Sequence, residues 1–265
     1  MSESNSSGYL QALFGLSGKT AVVIGGTGVL GGAIANALAQ AGAHVVIVGR
    51  NAENGEGRVK MIEKLQGSAE FLAADSTSRT DLQAVVDHLK DKGQVAEILV
   101  NGAGINAATP FLEISDEEWE RIFRVNLLSV KVACQVFGQA MLDQNVAGSI
   151  INIASMSAIT PLSRVFTYSA SKAAVLNLTQ NLAREWAERG IRVNALSPGF
   201  FPAEQNRKVL TPERVASIMT HTPTKRFGDP EELAGAVLLM AAGKAGSFIT
   251  GSNIAVDGGF SCMTI

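Results

Sequence analysis

Tyr168 and Lys172 stand four residues apart in Tyr168-Ser169-Ala170-Ser171-Lys172, at the start of a long stretch of helical period, so their side chains share one helix face. An ammonium beside a phenol favours the phenolate, drawing a pKa of about 10 in water toward the range where protons exchange at neutral pH. Such a pair can act as a general acid and base on an oxygen. Ser155 lies thirteen residues before Tyr168, just beyond the apolar run Ser149 to Ile153, where its hydroxyl can hold a substrate oxygen. Asn126 sits in Val125-Asn126-Leu127, an amide inside an apolar helical stripe. Singly, each has a plainer account: Tyr168 as a core aromatic, Lys172 as a surface cation, Ser155 as a loop cap, Asn126 as a buried hydrogen-bonding post.

A second stretch with chemical content is Gly25-Gly26-Thr27-Gly28-Val29-Leu30-Gly31-Gly32, which follows the run Ala21 to Ile24 and opens a helical segment. Glycine is needed where the backbone turns tightly and approaches a phosphate with no Cβ in the way, and a helix N-terminus offers that phosphate free N–H groups and positive potential. Glycines alone also suit an ordinary strand-to-helix turn; their place after the first strand points to a dinucleotide. The second run ends Val48-Gly49-Arg50-Asn51. An NAD site usually offers an acidic side chain here to the ribose hydroxyls, whereas the 2′-phosphate of NADP needs room and positive charge. Gly49 gives room and Arg50 gives charge, so NADP is the expected cofactor and NAD remains possible. A charge-assisted hydrogen bond to phosphate contributes about 1.5–3 kcal/mol, enough for a tenfold preference and too little to exclude NAD. The alternative for Arg50 is a solvated residue opening a helix.

The hydrophobic pattern indicates what positions these residues. Apolar runs at Ala21 to Ile24, His44 to Val48, Glu70 to Ala73, Ile98 to Val100, Ser149 to Ile153, Arg192 to Leu196 and Asn253 to Val256 read as strands. Helical patterns at Gly31 to Gln40, Thr80 to Lys90, Asp116 to Leu142, Phe166 to Arg189 and Pro230 to Met240 lie between them. Continuously apolar strands are covered on both faces, and crossover helices supply the cover. The expected fold is α/β: a single-domain, Rossmann-like, doubly wound parallel sheet with helices on both faces, and ligands at the C-terminal strand edges. No repeat or linker divides the chain, so residues 1–17 read as an N-terminal leader and 18–265 as one dinucleotide-binding domain. An excursion at about 200–228 precedes the last helix.

Composition narrows the field. With 17% charged residues and a net charge of -2, the 265-residue chain has no basic surplus for nucleic acid and no disorder signature. No uninterrupted apolar stretch reaches the ~18–20 residues of a membrane span, and Met1 to Gly8 lacks a secretory pattern. A cytoplasmic protein with no membrane or nucleic-acid partner is the expectation. Cys134 and Cys262 are far apart, and His44, His88 and His221 are scattered, so neither a metal site nor a Ser-His-Asp triad is expected.

Together, in this order and behind this glycine turn, the residues resemble the short-chain dehydrogenase/reductase family from about Leu16 to the C-terminus. The resemblance implies that Tyr168 is the general acid/base, that Lys172 lowers its pKa and holds the nicotinamide ribose, that Ser155 positions the carbonyl or hydroxyl, and that Asn126 anchors a water in a proton relay. It implies cofactor contacts from Gly25, Thr27, Gly28 and Leu30, from Arg50, and from Asp75 and Ser76 near the adenine. Asn101, Ala103 and Gly104 are expected beside the ribose with Tyr168 and Lys172, and Pro198, Gly199 and Phe201 at the nicotinamide. The implied reaction is reversible hydride transfer between nicotinamide and a carbonyl or secondary alcohol carbon, in a homotetramer paired through its long helices, with no metal.

Some positions depart from the family pattern. Ile24 stands where Thr is usual, Val29 replaces the middle glycine of G-x-x-x-G-x-G, and Asn101-Gly102-Ala103-Gly104 stands for Asn-Asn-Ala-Gly. A subgroup that reduces uronic-acid ketoses, the D-mannonate oxidoreductases or fructuronate reductases, resembles the chain in these departures and in Ser197-Pro198-Gly199-Phe200-Phe201 followed by Glu204-Gln205-Asn206-Arg207. The expected substrate is accordingly a keto-sugar acid of carbohydrate metabolism. Its carboxylate needs a cation and its hydroxyls need amides: Arg207 with Gln205 and Asn206, or Arg164, alongside Ser155 and Tyr168. The excursion at about 200–228 reads as a substrate lid. Rivals are another ketone (a gluconate-type keto acid, a cyclitol or a β-keto acyl ester), or a nucleotide sensor without turnover. Sensors usually lose the tyrosine or the lysine, and both are present.

Overall fold

The computed structural model describes residues 3–201 and 211–263. Among them, strands β1 Thr20–Ile24, β2 His44–Gly49, β3 Ser68–Ala73, β4 Ile98–Asn101, β5 Ser149–Ile153, β6 Arg192–Pro198 and β7 Asn253–Val256 form one sheet. The spatial order is β3-β2-β1-β4-β5-β6-β7, parallel throughout. Every residue of β1, β4 and β5 is buried, as continuously apolar strands require.

Strand periodicity divides the core in two. Val22, Val46, Leu99, Ile150 and Val193 face α4 (Arg79–Asp91), α6 (Ser129–Asp143) and α7 (Phe166–Trp186), while Val23, Ile47, Val100 and Ile151 face α2 (Val29–Gln40) and α9 (Ala234–Ala241). β1 lies between β2 and β4, so successive crossovers leave in opposite directions at that point. A crevice opens there at the C-terminal strand edges, the general ligand position of such sheets.

Three helices lie where the sequence pattern indicated none. Glu3–Phe14 forms α1 within the stretch read as a leader, and the chain after it is anchored by Leu16, which is buried and donates its N–H to the Ala41 carbonyl at 2.8 Å. α3 (Ala52–Lys64) buries only Gly55 and Ile62, too sparse an apolar stripe to register as a helix face. α8 (Pro212–His221) falls in the excursion, capped by the Thr211 side chain.

One helical run, Asp116–Asp143, has the length and an 18-residue mean hydropathy of 1.3 that a bilayer span would show. Its apolar residues instead face the domain: Ile122, Val130, Ala133 and Phe137 are buried. The run comprises α5 (Asp116–Phe123), a π-helical turn at Arg124–Leu128, and α6.

Candidate active site

The glycine turn is shaped by two residues above all. Gly25 has φ +81°, and a Cβ there would lie 2.8 Å from the Ala103 nitrogen and the Gly102 carbonyl carbon, so the ends of β1 and β4 can meet only at glycine. A Cβ on Gly31 would collide with the Gly25 carbonyl. Val29, at the usual glycine position, is the first residue of α2 and 41% exposed, where a side chain fits without strain. The Gly28 N–H bonds the Gly25 carbonyl at 3.1 Å, closing the turn ahead of the helix.

The expected adenosine side is assembled nearby. A Cβ on Gly49 would sit 2.9 Å from Thr27 Cγ2, so glycine lets the turn settle over the end of β2. Arg50 is exposed beside it, and Asn51 caps α3 by accepting the Asn54 N–H at 2.8 Å. Asp75 Oδ1 accepts from Thr77 N at 2.8 Å and Thr77 Oγ1 at 2.9 Å, fixing the turn that carries Ser76. The Asn101 side chain points elsewhere: it is buried, and its Nδ2 donates to Asn152 Oδ1 at 2.8 Å. Only its backbone faces the crevice edge, where Gly102 and Ala103 abut Gly25.

At the reacting end, Ser155 follows β5 and caps a short 3-10 turn, with its Oγ 3.0 Å from Ser157 Oγ. The Ser155 side chain lies near enough to the Tyr168 phenol to favour its phenolate. Lys172 is 3% exposed and donates from Nζ to the Ile153 carbonyl at 2.7 Å, with Nζ 5.8 Å from the Tyr168 ring centroid. A Cβ on Gly104 would lie 3.4 Å from Lys172 Nζ and 3.5 Å from Asn126 Oδ1, so Gly104, Lys172 and Asn126 border one space.

Asn126 lies in the π-helical turn. Its Oδ1 accepts from Ile105 N at 2.8 Å, and its Nδ2 donates to the Ile105 carbonyl at 2.9 Å and to Ser171 Oγ at 3.0 Å. Ser171 Oγ in turn donates to the Tyr168 carbonyl at 2.7 Å. The four residues expected to act together are therefore gathered at one crevice. Ser157 pairs with Ser155 and Ser171 braces Asn126 and the Tyr168 carbonyl, and neither carried a sequence signal beyond a hydroxyl two residues from Ser155 or one from Lys172.

The electrostatics correct one expectation. The Tyr168 pKa is raised, not lowered: desolvation disfavours the phenolate and outweighs the opposite pull of the Ser155 side chain. Burial also brings the Lys172 ammonium down to about 8. Nζ is committed to a backbone carbonyl at some distance from the phenol, so desolvation decides both shifts. At neutral pH the phenol holds its proton and the ammonium keeps its charge, which suits proton donation to a carbonyl.

Elsewhere, Gly199 passes so close to Asp257 that a Cβ would lie 2.6 Å from its Cα, and Gly199 N donates to the Val256 carbonyl at 2.9 Å, fixing the Pro198-Gly199 corner. The Phe201 ring is buried against Gly228, leaving chiefly its backbone for a ligand. Arg164 is exposed with φ +65°. Gln205, Asn206 and Arg207 lie outside the described residues.

Comparison with known proteins agrees with this geometry. Residues 27–261 match the family model described as enoyl-(acyl carrier protein) reductase. The chain is 38% identical over 262 residues to galactitol 2-dehydrogenase of Rhizobium johnstonii, covering 95% of this chain and 98% of that protein. The chain belongs to the short-chain dehydrogenase/reductase family. A further relative, 5-keto-D-gluconate 5-reductase of Escherichia coli, is 34% identical over 249 residues, covering 93% of this chain and 97% of that one. The crystal structure of a gluconate 5-dehydrogenase from Burkholderia cenocepacia, in complex with NADP and tartrate, superimposes with a TM-score of 0.90 at 31% identity, covering 96% of this chain and 99% of that chain. This short-chain dehydrogenase/reductase is an NAD(P)-dependent oxidoreductase acting on CH–OH groups. A dinucleotide fits the residues present: the tight turn at Gly25 and Gly31 leads into α2, whose N-cap Gly28 brings no side chain to its first N–H groups, which a phosphate can take.

Proposed function

We propose that the protein reversibly reduces the ketone of a sugar acid, with NADP preferred over NAD, and that fructuronate/mannonate is the first couple to test. The observation that carries the chemistry is the gathering of Ser155 and Tyr168 with buried Lys172 one turn along, its Nζ fixed on the Ile153 carbonyl at the end of β5. When bound, the nicotinamide supplies the hydride for reduction or accepts it in oxidation. Ser155 Oγ holds the substrate oxygen, Tyr168 donates its proton to that oxygen as the carbon is reduced, and Lys172 holds positive charge beside the phenolate left behind. Asn126 and Ser171 hold the helix start that carries Tyr168.

Several observations support the cofactor and substrate classes. Arg50, exposed at the end of β2, favours the 2′-phosphate, and the Burkholderia structure contains NADP; the room expected at Gly49 is taken by Thr27. Named relatives act on galactitol and 5-keto-D-gluconate, which are polyol and keto-acid compounds. The segment at about 200–228 serves as the substrate lid. In its described part, Arg214 of α8 donates to Ser163 Oγ at 2.6 Å, tying the lid helix to the loop ahead of Tyr168. A gluconate-type keto acid is the second reading, favoured by the 5-keto-D-gluconate relative. We propose a homotetramer as the working form.

NADPH oxidation should be followed with fructuronate, 5-ketogluconate, a neutral ketose and a β-keto acyl ester. Turnover should favour the sugar acids, and Tyr168→Phe should reduce it by about 10²–10⁴-fold while NADPH still binds. Preference for the acyl ester would overturn the substrate class. Undiminished turnover by Tyr168→Phe would overturn the mechanism.

A further inference from the structure

Arg58 is a cation with no described anion to serve. It extends from α3, half-buried, and lies against the first turns of α2, where a Cβ on Gly32 would overlap the guanidinium. Glycine at position 32 is what admits it. Of its five N–H donors, only one has a described hydrogen-bond partner: Nη1 donates to Met61 Sδ at 3.1 Å, and a thioether is a weak acceptor. Among the described residues no carboxylate lies within ion-pair distance. Burial lowers its pKa, the mark of a charge losing water without a compensating partner.

Its position makes the lack of an anion costly. The start of α2 carries the positive end of the helix dipole, the wrong end for a cation unless negative charge joins it. Arg58 and Met61 border an open cleft of about 710 Å³ whose other wall is Thr27 and Gly28 of the glycine turn. The cleft also meets Glu53, Glu56 and Lys60, all exposed, and neither carboxylate pairs with Arg58. The guanidinium and the turn that seats a dinucleotide thus open into one space.

We propose that Arg58 is a second cation for the ribose 2′-phosphate of NADP, reaching it from α3 while Arg50 reaches it from the end of β2. This rests on the NADP reading above. Its role is cofactor discrimination, since NADH offers nothing at that place, and the fork of a guanidinium can hold two phosphate oxygens at once.

The test is fluorescence titration of the full chain with NADPH and NADH, and calorimetric titration with 2′,5′-ADP and 5′-AMP. Arg58→Met should weaken NADPH and 2′,5′-ADP by about tenfold while NADH and 5′-AMP change less than about twofold, which also shows the variant is folded. Gly32→Ala, whose methyl displaces the guanidinium while residue 58 stays an arginine, should show the same selective loss. Equal weakening of phosphorylated and unphosphorylated ligands would overturn the proposal, placing Arg58 at the pyrophosphate or in the fold. No change in any ligand would overturn it as well. If the wild-type protein binds NADH but neither NADPH nor 2′,5′-ADP, the NADP reading itself fails.

Discussion

Lys172 is buried and Tyr168 half-buried, desolvation penalises the charged form of each, and the two penalties act differently on catalysis. A phenol kept protonated is a ready acid, whereas an ammonium brought down to about 8 is close to losing the charge that makes it useful. The shift from 10.5 to about 8 corresponds to on the order of 3 kcal/mol against the charged form at neutral pH. Below about 8 folded and unfolded chains are both protonated and this cost is present in full; between about 8 and 10.5 the unfolded chain keeps a proton the folded chain has released, so stability rises with pH. Lys172→Met should therefore be more stable than wild type near neutrality by about 1–3 kcal/mol, and should lose turnover. Urea unfolding of the cofactor-free protein at about pH 7.5 and about 9.5 checks the sign: wild type should gain stability over that interval and the variant should not. The same pH response in both proteins would show that Lys172 is not the titrating group.

Elements place these residues, and the π-helical turn at Arg124–Leu128 does so most directly. An extra residue in that turn accompanies Asn126 facing Ile105 on the loop after β4 and Ser171 on α7, three segments distant in sequence. Asn126→Asp keeps the acceptor for Ile105 N but loses both donors, setting a carboxylate against the Ile105 carbonyl. It should cost about 1–3 kcal/mol of stability and lower kcat more than KM, because Tyr168 loses its brace while the substrate contacts remain. Thermal unfolding with steady-state kinetics measures both; a variant of wild-type stability and kcat would remove Asn126 from the positioning role. The strands around this site were legible in the sequence because runs such as Val45 to Val48 are apolar on both faces. α3 was not, since only Gly55 and Ile62 are buried on it, and a helix that rests on a sheet edge through a glycine leaves no periodic trace. That Tyr168, Lys172, Ser155 and Asn126 lie near one another was legible from type and spacing, but the direction of the Tyr168 shift was not, because it depends on burial and on where Lys172 Nζ points. Which part of Asn101 could meet a ligand was not legible for the same reason: its side chain turns inward to Asn152, leaving the backbone.

Several apolar side chains stay exposed among the described residues, and two places bear on assembly. One lies by the site: Phe111 and Phe166 meet edge to face at 5.3 Å and are 61% and 41% exposed, and Leu112 beside them is 96% exposed. The other is marked by Phe248, with no burial at all, in the segment leading to edge strand β7. A tetramer of dihedral symmetry needs two distinct self-complementary patches on each chain, whereas a dimer needs one. Two patches thus suit the proposed homotetramer and predict a graded dissociation. Leu112→Glu should remove one interface and Phe248→Glu the other, each leaving dimers, and the double variant should leave monomers. Sedimentation velocity at micromolar concentration reads the three states directly. Wild-type protein sedimenting as a single chain would end the proposal, and a tetramer surviving the double substitution would mean that other surfaces hold the subunits together. If Leu112→Glu also raises KM, assembly and catalysis are linked through Phe166, two residues ahead of Tyr168 on the same helix.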